Sequence, residues 1–203
     1  MAAMAEFHKS GSKELFYGIA RAHRAKKPRS AFFIGNYSGH GDQMKKTTWK
    51  TYAFWIALPE LVGALSGWLT RNDTRIYEES IRQPPLSPPS LAFPIVWGIL
   101  FALMGIAAAR VWLAPSSRKR THSLWLFGVQ LAFNFFWSIL FFHFQAFGLA
   151  LLWLAALWGL ILWMTLTFRK VDCAAGWLLL PYLLWVTFAA YLNLGVWLLN
   201  RPT

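Results

Sequence analysis

The 203-residue chain is 57% hydrophobic and only 14% charged, and its formal net charge is +12. A soluble domain of this size needs more polar surface to cover its core, so a water-soluble fold is excluded. The Lys and Arg excess comes with no nucleic-acid motif; it is read as charge flanking membrane spans, with no nucleic-acid partner. A lone cysteine, Cys173, excludes an internal disulfide.

Residues 1–50 carry ten of the 20 Lys and Arg, with Glu6, Glu14 and Asp42 as the only acids. This composition predicts a basic, disordered tail. Its stretch from Arg21 to Arg29 resembles a mitochondrial transit sequence, and Met44 is an alternative start.

Residues 51–203 are read as the membrane domain. Span one covers about 52–69 and includes Pro59, one acid (Glu60), and a Gly63/Gly67 pair of the kind that lets helices approach closely. Residues 70–93 read as an ordered, extended loop, because Pro84, Pro85, Pro88 and Pro89 block regular helix. Span two covers 94–113 and opens on Pro94, as a helix start favours.

A basic loop follows, with Arg118, Lys119 and Arg120. The apolar stretch from Leu124 to Phe168 is 45 residues long, about twice the roughly 20 residues of one crossing. It must fold back near its most polar point, His143, Gln145 and Gly148. That gives spans three (124–143) and four (147–168) as a tight hairpin. Span five covers 174–199, with Pro181 one or two turns in.

The fold class expected is an all-α integral membrane protein, a five-transmembrane-helix bundle with a Pro-rich loop between helices 1 and 2. Sixteen Lys and Arg fall on the side of the N-tail and four on the other. The positive-inside rule then makes the N-terminus cytoplasmic. A bacterial cell membrane is the expected location, or the mitochondrial outer membrane in a eukaryote.

Polar side chains inside the spans carry the functional signal. Gln130, Asn134 and Ser138 recur at i, i+4, i+8 on one face of span three, with Trp137 and Phe141 beside them. Trp185, Phe188, Ala189, Leu192 and Asn193 form a stripe on span five. Two readings stand: a helix–helix seam with amides bonded across it, or a small-molecule pocket with aromatic walls and a few polar groups. Glu60 is either a functional group facing the interior or a neutral acid bonded to a neighbouring helix. No catalytic constellation or metal-ligand spacing appears. His143 is either an interfacial haem ligand or a cap on the hairpin.

The chain resembles the TspO/MBR family, the tryptophan-rich sensory proteins of bacteria and the mitochondrial translocator protein, over about residues 55–200. The matching segments are Tyr77 to Trp97 in the loop, Met104-Gly105, Leu131 to Trp137 with Phe141-Phe142, and above all Pro181 to Trp197. The resemblance implies a five-helix bundle whose ligand pocket is roofed by the first loop. It implies binding of porphyrins or haem, sterols or benzodiazepine-type ligands, and a homodimer. The implied ligand-binding residues are Asn134, Trp137, Phe141, Trp185, Phe188, Ala189 and Asn193, under a loop lid carrying Pro84, Pro88 and Pro89. No obligatory cofactor is implied beyond a bound porphyrin or haem.

Some positions depart from the family. Its loop Lys and Trp are Gln83 and Leu86, and a second Trp is Leu91. The cholesterol-recognition segment is lost at Leu194 and Leu198. Glu60 stands where the family has a small or neutral residue. The expected function is a membrane receptor or sensor for tetrapyrroles or other flat hydrophobic ligands. The alternatives are a transporter or efflux component, or a light-dependent porphyrin-degrading enzyme, which the missing loop indole disfavours.

Overall fold

The computed structural model describes residues 37–201, with side chains from residue 48 onward. Most of the basic tail, the transit-like stretch included, lies outside the described residues. Residues 1–44 form a separate unit and are represented only by the helical start at Tyr37. The membrane domain is the unit from Lys45 onward.

All described secondary structure is helical: α1 (Tyr37–Ser80), α2 (Ala92–Leu113), α3 (Arg118–Ser138), α4 (Phe147–Val171), α5 (Cys173–Trp177) and α6 (Leu180–Asn200). A π turn, Ile139–His143, ends α3. Among the described residues five segments are long and apolar enough to cross a bilayer: 48–80, 92–113, 118–143, 147–171 and 173–200. The protein is a multi-pass membrane protein whose solvent over those lengths is lipid. The apolar surface it exposes there, such as Phe54, Leu61, Leu152 and Leu184, faces hydrocarbon.

Three helices bury one strict stripe each. On α4 it is Ala150, Leu154, Leu157, Ile161, Met164 and Phe168; on α6, Tyr182, Val186, Ala189, Asn193 and Val196; on α3, Leu126 or Phe127, Gln130, Asn134 and Trp137. Spacing of four and three alternately is the seam of nearly parallel or antiparallel helices crossing at a small angle. α4 is central and packs against both α3 and α6.

Small residues set the approach of α1 to α2. A Cβ on Gly105 would come within 2.5 Å of the Ile56 Cα and the Trp55 carbonyl, and one on Gly63 would overlap the Phe101 ring. Gly63 is thus used inside the fold, whereas Gly67 has nothing within 4 Å. The two glycines do not form one shared contact face in this chain.

The structure revises three element boundaries. Residues 70–80, expected in the loop, continue α1, because no Gly or Pro falls between Gly67 and Pro84. The Thr70 and Thr74 hydroxyls fold back onto the Ser66 and Thr70 carbonyls at 2.9 Å, satisfying themselves within the helix. The loop is therefore residues 81–91. Span three starts earlier, at Arg118, where Ser117 accepts from the Arg120 N–H at 3.1 Å as an N-cap. Span five is broken. Pro181 lies in the first turn of α6, where its missing N–H costs nothing, and α5 is a separate short helix before it.

The hairpin turns where expected. Phe144 N–H reaches the Ile139 carbonyl at 3.1 Å, five residues back, and Gln145 takes a positive φ of 49°. The π turn brings Phe141 inward, where it is buried.

Candidate ligand site beneath the proline loop

The loop is fastened to α6. The Asn200 side chain pairs with the Arg82 backbone in both directions: Nδ2 donates to the carbonyl at 2.9 Å and Oδ1 accepts from the N–H at 3.0 Å. The Tyr191 hydroxyl donates to the Pro85 carbonyl at 3.0 Å. Pro84 is buried against Gly195, where any Cβ would lie 2.5 Å from the proline Cβ. The absence of a side chain at Gly195 therefore makes room for the lid. Of the other lid prolines, Pro88 is half-buried and Pro89 is exposed. Leu86, at a positive φ of 66°, is 79% exposed at the turn's tip.

Beneath the lid lie two groups of aromatic rings. In the first, Trp137 stacks on Phe141 at 5.2 Å and 24°. Phe141 also meets Tyr77 at 5.3 Å and Phe147 at 5.2 Å. Tyr77 belongs to the helical extension of α1, so the added turns of that helix bring it to these rings. In the second, Trp185 meets Phe188 at 5.6 Å and Phe93 at 6.0 Å, and Phe188 stacks on Tyr191 at 6.2 Å. Trp185 and Phe188 are half-buried, flanking the fully inward Ala189 and Asn193.

The two readings of the polar stripe divide between its residues. Asn134 donates to the Tyr182 hydroxyl at 2.8 Å, and that hydroxyl donates to Gln130 Oε1 at 3.1 Å. Gln130 Nε2 ends the chain on Met104 Sδ at 2.8 Å. These amides bond across the α2–α3–α6 seam, as helices in lipid commonly do. Trp137 and Asn193 differ. Among the described residues the Trp137 Nε1–H and the Asn193 Oδ1 are buried and have no partner, although Asn193 Nδ2 donates to the Phe147 carbonyl at 2.9 Å. Contacts through Phe147 and Phe141 tie both residues to the same end of the bundle.

Three other buried polar atoms of the described residues also lack partners, but their situations are easier to account for. The Ser66 and Ser123 hydroxyls can turn toward their own helix carbonyls. Arg120 loses only Nε, since its Nη1 donates to the Ala114 carbonyl at 3.0 Å. An indole N–H has one direction of donation and no such escape.

At the opposite end Arg110 forms a two-pronged ion pair with Asp172, at 3.1 and 2.9 Å. Asp172 also caps α5 by accepting from the Ala175 N–H at 2.8 Å. Partial burial works against its ionisation. The Arg110 hydrogen bonds and the Ala175 N–H outweigh that effect and hold the carboxyl below its ordinary range.

His143 Nδ1 lies 3.0 Å from Asp73 Oδ2, which holds the hairpin to α1. Among the described residues no three metal-ligating side chains cluster.

Sequence spacing and family likeness do not mark out Tyr182, Tyr191, Arg82, Gly195 or Asn200 as site residues. Tyr182 was detectable there: it continues the Ala189/Asn193 stripe at seven and eleven residues' distance. The latch at Asn200 was not, because it pairs with backbone 118 residues away.

The TspO/MBR family model matches residues 55–198. The chain is 38% identical over 152 residues to the tryptophan-rich protein TspO of Chlorobaculum tepidum, covering 74% of this chain and 96% of that one. It is 32% identical over 155 residues to the translocator protein of Bos taurus, covering 75% and 92%. Protein CrtK of Rhodobacter capsulatus is 37% identical over 123 residues, covering 60% and 77%. The family model thus covers most of the membrane domain, and the chain belongs to the TspO/MBR family.

Proposed function

We propose that this protein is a membrane receptor or sensor that takes a flat hydrophobic ligand into the bundle beneath the proline loop. Porphyrin- or haem-type tetrapyrroles are the first class, and sterol- or benzodiazepine-type molecules the second. The observation that carries this reading is the unpaired indole N–H of Trp137 and amide oxygen of Asn193, both buried, the indole stacked on Phe141. A buried donor or acceptor left unmade costs roughly 1–3 kcal/mol; a guest carboxylate can accept from the indole, and a guest pyrrole N–H can donate to the amide oxygen.

Trp137 and Phe141 would offer a stacking face. Trp185 and Phe188 would bound the far side, and Ala189 would leave room beside α6. Asn134, engaged by Tyr182, would hold the wall rather than the ligand. Pro84, Pro88 and Pro89 would close the site.

The names of relatives fit: tryptophan-rich sensory protein in Cereibacter sphaeroides, translocator protein in Bos taurus. We place the N-terminus on the cytoplasmic side of a bacterial cell membrane, from the Lys and Arg distribution, and propose a homodimer with no nucleic-acid partner and no obligatory cofactor.

The test is a titration of purified protein with protoporphyrin IX, followed by tryptophan quenching. Saturable binding that falls at least tenfold in Trp137→Ala and Ala189→Phe is expected. Affinity unchanged in both variants would remove this site.

Translocation is the second reading, favoured by the relatives' name alone; porphyrin flux into proteoliposomes no faster than into empty liposomes would dismiss it. Photochemical breakdown of porphyrin is disfavoured, because Leu86 and Leu91 occupy the two family indole positions in the lid.

A further inference from the structure

We propose that Glu60 is a second site, separate from the interior one, which takes a lipophilic cation arriving sideways from the bilayer. Its position comes first. Between Lys50 and Arg71 it is the only charged residue, ten residues from one and eleven from the other. At 1.5 Å per residue it sits roughly 15 Å from each flanking charge, near the middle of a hydrocarbon layer about 30 Å thick. Membrane-depth carboxyl groups are rare and are normally paired or turned to a polar interior.

Glu60 has neither arrangement. Among the described residues no ion pair and no hydrogen bond reaches it. It is only half-buried. The neighbouring contacts on its helix face show why. Ile56 packs on Gly105 and Gly63 on Phe101, one turn to either side, so Glu60 lies along the α1–α2 seam at its lipid-facing margin.

Space and charge there favour one kind of occupant. Ala57 and Ala64, one turn away on either side, are exposed and end in a methyl group, and Gly67 beyond them has open space. Leu61 is 68% exposed alongside. The carboxyl thus stands among short, exposed apolar side chains, with Leu61 alongside. A long-chain ammonium fits it: the chain lies in the lipid along Leu61, and the head group makes a charge-assisted hydrogen bond to the carboxyl. Neutral lipids and anions lack that complement.

The site is tested on the full-length chain in phosphatidylcholine nanodiscs with two photoprobes, a diazirine-bearing dodecylamine and the matching dodecanol. Labelled peptides are located by mass spectrometry. The amine is expected to label α1 or the facing stretch of α2 around Glu60. That labelling should fall about tenfold in Glu60→Gln, as expected for loss of one charge-assisted contact, persist in Glu60→Asp, and be competed by unlabelled dodecylamine but not by dodecanol. The competition on wild-type protein keeps the test valid if Glu60→Gln fails to fold. Equal labelling by the two probes, or amine labelling as strong in a folded Glu60→Gln as in wild type, would overturn the proposal. Protoporphyrin quenching is expected to be the same in Glu60→Gln and wild type, so the fate of this site and that of the interior site are read separately.

Discussion

The two ends of the bundle solve the same problem differently. At the Asp172 end, charge is paired and helix ends are capped: Arg110 grips Asp172, Asp172 caps α5, and Arg169 lies 5.0 Å over the Trp177 ring. At the proline-loop end the closure is a strap held by neutral contacts, Asn200 on Arg82 and Tyr191 on Pro85. Beneath it the Trp137 indole and the Asn193 oxygen are left unpaired. The first end is built for permanence. The strap of the second can open without breaking an ion pair, as the proposed ligand entrance would require.

Substitutions at the two ends should therefore separate affinity from stability. The largest effect is expected from Ala189→Phe. A ring beside Asn193 occupies the space a ligand needs, and protoporphyrin affinity should fall more than thirtyfold, about 2 kcal/mol; because Ala189 is buried, the added ring also costs roughly 1–3 kcal/mol of stability.

Next is Asn200→Ala, which frees the Arg82 backbone from α6. Stopped-flow displacement should show ligand release roughly tenfold faster, a little over 1 kcal/mol, in line with the usual worth of one or two hydrogen bonds. An unchanged release rate would mean that the strap does not gate the site.

Asp172→Asn should do the reverse, lowering stability while leaving affinity alone. Asn keeps a cap oxygen for the Ala175 N–H, so what is lost is the partly exposed ion pair, worth roughly 0–1 kcal/mol. The pH dependence follows from the lowered carboxyl. The wild-type advantage is present above the ordinary carboxylate value of 3.8 and is lost as pH falls through the lower folded value. Thermal melts from pH 6 down to 3 should therefore converge for the two proteins. The smallest effect is expected from Leu86→Trp. An indole at that exposed tip should change affinity less than threefold, about 0.6 kcal/mol, while permitting a test for new absorption bands under illumination.

Much of the fold was legible because lipid imposes simple rules. Long uncharged stretches gave five crossings, and the polar point at His143 to Gly148 gave the hairpin. Boundaries failed where polar residues are not helix breakers: Arg71 to Ser80 looks like loop by composition and is helix because nothing stops it before Pro84. The π turn at Ile139–His143 and the α5–α6 break depend on packing that periodicity does not encode.

The candidate site was half legible. Spacing and family likeness picked Trp137, Phe141, Ala189 and Asn193, all four of which are buried in the bundle. They could not tell that Asn134 is bound to Tyr182 whereas Trp137 is not. That distinction is three-dimensional, since Tyr182 and Asn134 are 48 residues apart. The Asn200 strap was out of reach for the same reason.

The most direct measurement is the indole ¹⁵N–¹H resonance of Trp137, assigned by its loss in Trp137→Phe and followed during protoporphyrin titration. A downfield shift that saturates together with the fluorescence quenching is predicted, as the orphan N–H gains an acceptor. A Trp137 signal that stays fixed while other indoles move would contradict a ligand site at this indole.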